Sequence, residues 1–548
     1  MNSEQTTERA TKFLLPFIIA LTLFVSFLRL GAVRLFDVDE AVFAQATKEM
    51  VQSGDFITPT YNGFNRYDKP ILFYWAMAAS YKVFGINEFA ARFPSALAGL
   101  LLAMSIFFFV RRVIGEKQAI YSTISFVLSI YFFLYSHAAV TDMLLTLFIT
   151  LSIFSFYLSD INKINASLLL SSRLRRASTY GFYLFSALAF LTKGLIGIIF
   201  PFGVVIVYLF ATGGLEEIKN IFNLKGIILF LIVSAPWYGE QLAINGMEFV
   251  DQFFIKHHFT RYINGVSGHK APFYYFIPVL LIGLFPWVVF LPSGIKAVFN
   301  NINLQEFLRN KKTAAFPPAT SLGFICIVWF FIIFIFFSFS TTKLPNYILP
   351  LIPAATVLIS IGLTSIDRWD KYNYLSLAIL SFIIGVIFLY IKKYLFKIGV
   401  YDDTTWTLAI SFLMFGMTIV SLYKFFLKKP VYIYLATLMT IFLILISISA
   451  IPIINNYLQG VLYKYSLYVK NILPNNEKII TYDLNKPSIL FYSDHRIISL
   501  THKQDLVDTL KVMPHAIVMT KAKNINELKK LDLSVLKNAG NYAILEGK

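Results

Sequence analysis

Charge is scarce in this chain. Only 14% of its 548 residues are Asp, Glu, Lys or Arg, where a soluble globular domain carries about 25%. With 57% hydrophobic residues and a mean hydropathy of +0.67, that scarcity excludes an ordinary soluble domain. Cysteine is scarcer still. The single Cys326 lies within the apolar run 319–339, so no intramolecular disulfide can form. A cleavable leader is not evident either. Residues 1–12 are polar, and the run 13–30 has no small-residue cleavage site before the charged loop that follows, which predicts an uncleaved first helix.

Long apolar runs fill most of the length. Stretches of roughly 18 or more apolar residues mark membrane spans. Spans are expected near 13–30, 90–110, 117–137, 142–158, 180–192, 194–211, 225–243, 274–294, 319–339, 346–366, 374–392, 405–427 and 431–452. The spans 180–192 and 194–211 are short and abut at Lys193. The 56 Phe and 31 Tyr suit lipid-facing surfaces and interfacial belts. The fold class is therefore a polytopic α-helical membrane protein of about thirteen transmembrane helices.

The net charge of +18 invites a nucleic-acid reading, but its distribution argues for membrane topology. With the N-terminus cytoplasmic, about 20 basic residues fall in cytoplasmic segments against roughly eight in the opposite short loops, as the positive-inside rule requires. The same choice puts the loop 31–89, the His-containing loop 244–273, the TTKLPNY turn at 341–347, Asp142 and the C-terminus on the outer side. Anionic lipid attraction is a by-product of the basic excess. No nucleic-acid partner is expected.

The loop LFDVDEAVFAQATKEMVQSGDFITPTYNGFNRYDKPILFYW, Leu35 to Trp75, concentrates Asp37, Asp39, Glu40, Asp55, Asp68 and Lys69 beside apolar spans. Ionisable groups at a membrane face are costly and mark function. Val42, Ala46 and Met50 recur at i, i+4 and i+8, which predicts an amphipathic helix over 40–52 lying on the membrane. Gly54-Asp55 ends it, and Pro59 and Asn62-Gly63 make turns. Asp39 and Glu40 stand where carboxylates can also cap a helix, and Asp68-Lys69 can equally be a surface ion pair.

These residues, with the FGINEFAARFPSALAGL that follows, resemble the GT-C glycosyltransferases of the protein O-mannosyltransferase superfamily. The most similar branch is the bacterial transferases that move 4-amino-4-deoxy-L-arabinose from undecaprenyl phosphate to lipid A. The resemblance is dense over 36–100 and recurs in VTDMLLTLF, FLTKGLIGIIFP, KHHFTRYINGVSGHKAPFYYF and STTKLPNYILPLIPA, to about residue 355. It implies a GT-C fold and an inner-membrane enzyme with a periplasmic active site and C-terminus. The donor would be a polyprenyl-phosphate-linked sugar and the acceptor lipid A or another glycan or protein, with inversion at the sugar carbon.

Departure of a phosphate leaving group builds negative charge, which lysine, arginine and hydroxyl groups stabilise. The resemblance assigns the donor phosphate to Lys69 and Arg261, with Tyr347, Lys193, Tyr67 and Lys343 in support. Asp39 is the candidate base or acceptor-orienting group. Glu40 and Asp142 complete the catalytic set. Asp68 and His258, with His257 as a substitute, have the right ligand types for zinc, though no ligand spacing compels a metal and no cofactor is certain.

The chain departs from the aminoarabinose branch at Val42 and Phe43, where arginine and tyrosine are usual, and at Asp68, where glutamate is usual. These departures bear on the substrate more than on the reaction. A protein O-mannosyltransferase-like enzyme acting on Ser or Thr is the first alternative. A lipid-linked sugar transporter or flippase is the second, although such proteins carry ionisable groups near the midplane of broken helices. The tail 470–548 is a small α/β domain. KIITY, SILFY, RIISL and AIVMT read as strands and INELKKLDLSVLKNAG as helix. It is expected to cap the active-site face, acceptor or partner recognition being the other reading.

Overall fold

The structure, a computed structural model, describes residues 2–164, 171–213, 221–260, 271–302, 317–365, 370–397, 404–427, 431–474 and 477–547. Among the described residues, eight helices are long and apolar enough to cross a membrane, from Glu88–Val113 to Tyr432–Ile472, and up to ten spans result if each bent helix pair counts as one. Each of the thirteen expected segments coincides with a helix or a bent pair. The outliers are informative. Leu14–Phe27 and Ile196–Thr212 are apolar but shorter, and Ser172–Lys193 begins with the polar SRLRRAS and is apolar only in its second half. The two bent pairs, Glu116–Val127 with Ile130–Ser136 at 59° and Phe273–Gly283 with Trp287–Asn300 at 109°, each look like one continuous run in the sequence. Ser129 starts the second helix of the first pair by accepting a hydrogen bond from the Phe132 amide at 3.1 Å. Pro286, without an N–H, sits at the break of the other.

The chain divides into two compact units. The first comprises residues 1–28, 67–73 and 94–446, the second residues 29–66, 74–93 and 447–548. Most of the loop 31–89 thus groups with the tail and not, as the sequence suggested, with the membrane domain.

The first unit holds most of the spans. Its helices approach closely where side chains are absent: a Cβ on Gly294 would lie 1.9 Å from the Leu358 carbonyl oxygen. Lipid provides no hydrophobic drive between helices, so such small-residue contacts carry the packing. Asp142–Ile164 and Ser172–Lys193 form an antiparallel hairpin, tied by Ser152 and Ser186 hydroxyls at 2.8 Å and by Phe156 against Phe182 at 5.9 Å. Antiparallel pairing brings the first residue of one helix and the last of the other, Asp142 and Lys193, to the same end. The expected outer loop 244–273 begins as helix: Leu224–Val250 continues through Asp251–Thr260, broken at Gly246 with φ 57°.

The second unit begins with the helix Asp39–Ser53, close to the expected 40–52. It does not lie on a membrane with a free polar face. Glu40 through Lys48 are buried without interruption, because polar as well as apolar side chains find partners on every side. A two-stranded hairpin follows, β1 (Thr60–Tyr61) and β2 (Phe64–Asn65). The tail builds a five-stranded sheet from β3 (Ile479–Tyr482), β4 (Ile497–Leu500), β5 (Ile517–Lys521), β6 (Leu533–Ala539) and β7 (Tyr542–Gly547) in the order β4-β3-β5-β7-β6. β3 is parallel to β4 and β5, with Ile479 opposite Ile497 and Ile480 opposite Val518, and β7 is antiparallel to β5 and β6. Period-two alternation buries Ile479, Ile517 and Ile544 on one face against Leu462 and Val469, and Ile480, Val518 and Leu545 on the other.

Two tail expectations are corrected. SILFY is helical, within Pro487–Ser493, because Pro487 supplies a preset first-turn φ and Asp494 ends the helix at φ 62°. Only Ile525–Leu528 of the expected helix is α-helical, and Leu533–Ala539 is β6, recruited by pairing with β7.

Candidate active site

Three carboxylates crowd the start of the Asp39 helix, and their surroundings sort them. Asp37 accepts hydrogen bonds from the Ser488 amide at 2.8 Å and the Ser488 hydroxyl at 2.8 Å. Burial pushes its pKa up, partly offset by those bonds. Glu40 accepts from Arg92 Nε and Nη2, each at 2.9 Å, and from the Phe36 amide at 2.9 Å. Arg92 spends its other N–H groups on the carbonyls of Leu30, Val33 and Arg34 at 3.1, 2.8 and 3.1 Å. Asp39 is exposed, and among the described residues it has no hydrogen bond or ion pair. Val38 occupies the cap position with no side-chain hydrogen bond, so neither acid caps this helix. Of the three, Asp39 alone is exposed and carries no side-chain hydrogen bond or ion pair among the described residues. Glu40, also expected in the catalytic set, has its charge paired with Arg92. Asp55 is likewise engaged, accepting from the Ile57 and Thr58 amides at 2.8 and 3.1 Å.

In the first unit, Asp142, Lys193 and Tyr347 come together. Lys193 Nζ lies 2.5 Å from Asp142 Oδ1 and 5.7 Å from the centre of the Tyr347 ring. Tyr347 rests on Phe337 at 4.9 Å, and Tyr131 donates to the Pro345 carbonyl at 2.8 Å. Asp142 is 3% exposed, so this pair is largely desolvated and each charge depends on the other.

Also in the first unit, the Tyr67 hydroxyl donates to Asn245 Oδ1 at 3.0 Å, beside the helix break at Gly246. Its ring meets Phe249 edge-on at 5.9 Å. Lys69 Nζ donates to the Asp68 carbonyl at 2.9 Å and lies 3.9 Å from the Asp68 carboxylate. Lys343 is buried and donates to the Ser340 carbonyl, and burial lowers its pKa. It staples its own turn, a role that competes with binding a donor phosphate. Arg261 lies outside the described residues, as do the side chains of His257 and His258. Among the described residues no three His, Cys, Asp or Glu side chains are grouped to hold a metal ion.

Val42 and Phe43 are each 5% exposed. The Phe43 ring lies 5.3 Å from Tyr74, the Arg66 guanidinium stacks 5.8 Å over Phe43, and Arg66 Nε donates to the Tyr74 hydroxyl at 3.1 Å. Arg66, Arg92, Ser488 and Tyr492 were not singled out from the sequence. A cation embedded in the apolar stretch FAARFPSAL was the available signal for Arg92.

Residues 68–239 match the dolichyl-phosphate-mannose-protein mannosyltransferase family. An uncharacterised protein of Aquifex aeolicus is 31% identical over 380 residues, covering 69% of this chain and 80% of its own. The chain belongs to the GT-C glycosyltransferases of the protein O-mannosyltransferase superfamily. This glycosyltransferase is also 33% identical over 344 residues to an undecaprenyl phosphate-α-4-amino-4-deoxy-L-arabinose arabinosyl transferase of Shewanella sediminis. That match covers 62% of the chain and 57% of the relative, so it spans somewhat less than two thirds of that protein. The crystal structure of ArnT from Cupriavidus metallidurans bound to undecaprenyl phosphate shares the fold, with a TM-score of 0.78, 21% identity and 97% coverage of both chains.

Proposed function

We propose that this glycosyltransferase moves a sugar from a polyprenyl-phosphate donor to lipid A or a related acceptor outside the cytoplasmic membrane. The observation that carries the reading is the lysine–aspartate–tyrosine cluster formed by the buried Asp142 with the half-buried Lys193 and Tyr347. A transporter of a neutral headgroup has no need of a desolvated ammonium held by a carboxylate. A transferase whose leaving group is a phosphate monoester does, because charge builds on that phosphate as the bond to the sugar breaks. The relatives support the donor class, since the arabinosyl transferases are named for undecaprenyl phosphate.

In this mechanism Lys69, Lys193, Tyr347 and Arg261 are assigned to the donor phosphate, with Tyr67 holding the Tyr-Asp-Lys-Pro segment to Asn245. Lys343 is the weakest of the proposed phosphate ligands. An acceptor oxygen attacks the anomeric carbon from the side opposite the phosphate. The carbon–oxygen bond to phosphate breaks with its electron pair staying on phosphate, and the sugar inverts. When the acceptor is a hydroxyl, its proton passes to Asp39. A phosphate acceptor is already anionic and asks less of that base. Asp142 orients Lys193. Asp68 and a histidine at 257 or 258 have the chemistry to bind a divalent ion, but no step is assigned to one.

We place the active site and the C-terminus on the periplasmic side of the inner membrane and the N-terminus in the cytoplasm, on the distribution of basic residues. Lipid mass spectrometry on cells with and without the gene tests the acceptor. The expected result is loss of a lipid A substituent. Unchanged lipid A with altered protein glycans would favour the Ser/Thr alternative.

A further inference from the structure

We infer that the tail segment Pro487–Ile497 is a positioning element for Asp39. It fixes the main chain on both sides of the carboxylate and so sets the rate of the transfer step. The inference rests on the reading of Asp39 as the acceptor-side base.

The ties all lie within the second unit. Upstream of Asp39, Ser488 binds both oxygens of Asp37, with its amide on one and its hydroxyl on the other, at 2.8 Å each. The Leu35 amide donates to the Tyr492 hydroxyl at 2.9 Å, and that hydroxyl donates onward to Glu88 at 2.9 Å. Downstream, Lys48 donates to the Phe491 carbonyl at 3.1 Å and is paired with Asp494, which also takes Lys470. Asn62 exchanges two hydrogen bonds with the Ile497 backbone at 2.7 and 3.0 Å. A helix of about two turns, its capping Asp494 and the start of the strand after it therefore hold residues 35, 37, 48 and 62.

The alternative role for the tail was acceptor recognition, and this segment is poorly suited to it. Pro487 through Ser493 are all buried. The Ser488 and Tyr492 hydroxyls are occupied by Asp37, Gln459, Leu35 and Glu88. Asp39, in contrast, is exposed and has no hydrogen bond among the described residues. A reactive carboxylate left without bonds of its own must be aimed by its backbone, and here that backbone is immobilised from a second part of the chain.

The test compares full-length Ser488→Ala, Ser488→Thr and Tyr492→Phe with wild type and Asp39→Asn. Donor and acceptor kinetics are measured in lipid, and thermal unfolding is followed in parallel. Ser488→Ala and Tyr492→Phe are each expected to lower kcat by about tenfold or more. KM for donor and acceptor should stay within about twofold, and Ser488→Thr, which keeps the hydroxyl, should recover most of the loss. Tyr492→Phe decides the matter if Ser488→Ala fails to fold. A dead Asp39→Asn beside folded clamp variants with wild-type kcat overturns the positioning role alone. A raised acceptor KM at unchanged kcat overturns it in favour of acceptor recognition. Near wild-type transfer by Asp39→Asn removes the reading on which the inference stands.

Discussion

The Arg92 guanidinium meets both carboxylate oxygens of Glu40 at 2.9 Å, with the two side chains only 2% and 7% exposed. Arg92 also gathers three carbonyls from residues 30–34, so the ion pair fixes the entry to the Asp39 helix. Removing one partner of a buried pair strands the other charge and costs about 3–5 kcal/mol. Arg92→Ala is accordingly expected to lower the unfolding temperature sharply. Glu40→Gln keeps shape and part of the bonding and should lose stability and activity together. Full stability with abolished transfer in Glu40→Gln would place Glu40 in the catalytic set.

Lys193 and Asp142 make a second buried pair, and here stability and function should separate. Lys193→Met leaves Asp142 unpaired and is expected to destabilise by about 3 kcal/mol or more. The Asp142→Asn/Lys193→Met double variant removes both charges and should regain most of that stability. Transfer should remain at least about a hundredfold down in both, because each lacks the cation proposed to stabilise the donor phosphate. Unfolding curves and initial rates on the two singles and the double complete the cycle. A double variant that recovers activity along with stability would make the pair purely structural.

The sequence carried the spans well, because an 18-residue apolar run admits few alternatives. It carried the tail less well. SILFY has strand composition, yet Pro487 starts it as a helix and Asp37, some 450 residues away in the chain, anchors that helix through Ser488. The Asp39 helix was legible from its period, but its burial was not, since the groups that bury Lys48 and Glu40 lie at Asp494 and Arg92. The same gap explains Glu40. Spacing places Asp39 and Glu40 side by side as equals, and only the position of Arg92 shows which of them is already occupied.

Asp494 gives a pH signature. Burial alone would raise its pKa, but hydrogen bonds from Lys470 and Lys48 outweigh burial and hold it below the ordinary 3.8. A carboxylate with a depressed folded pKa contributes stability above its unfolded value and loses it as pH falls through the folded one. Asp494→Asn should therefore cost about 1 kcal/mol, discounted for partial exposure, at pH 5 to 7. The difference from wild type should close as pH drops below the unfolded value. Unfolding midpoints of both proteins across pH 3 to 7 check this. A difference that widens in acid would mean that the stabilising state of Asp494 is the protonated one.

The sharpest prediction concerns Asp39, because it separates two acceptor chemistries with one substitution. Asp39→Asn preserves size and helix geometry and leaves the Asp37 and Glu40 anchors intact, so folding should change by less than about 0.5 kcal/mol. A hydroxyl acceptor must lose its proton as the new bond forms, and a positioned base contributes about 10² to 10⁴ in rate. Asp39→Asn should lower transfer to a hydroxyl by that factor. A phosphate acceptor is already largely anionic, so the loss there reduces to whatever Asp39 does in orienting it and should be milder. Measuring the variant against both acceptor types in the same membranes isolates the proton-transfer component. Equal losses on both would assign Asp39 to orientation only, and near wild-type transfer to a hydroxyl would remove it from the catalytic role.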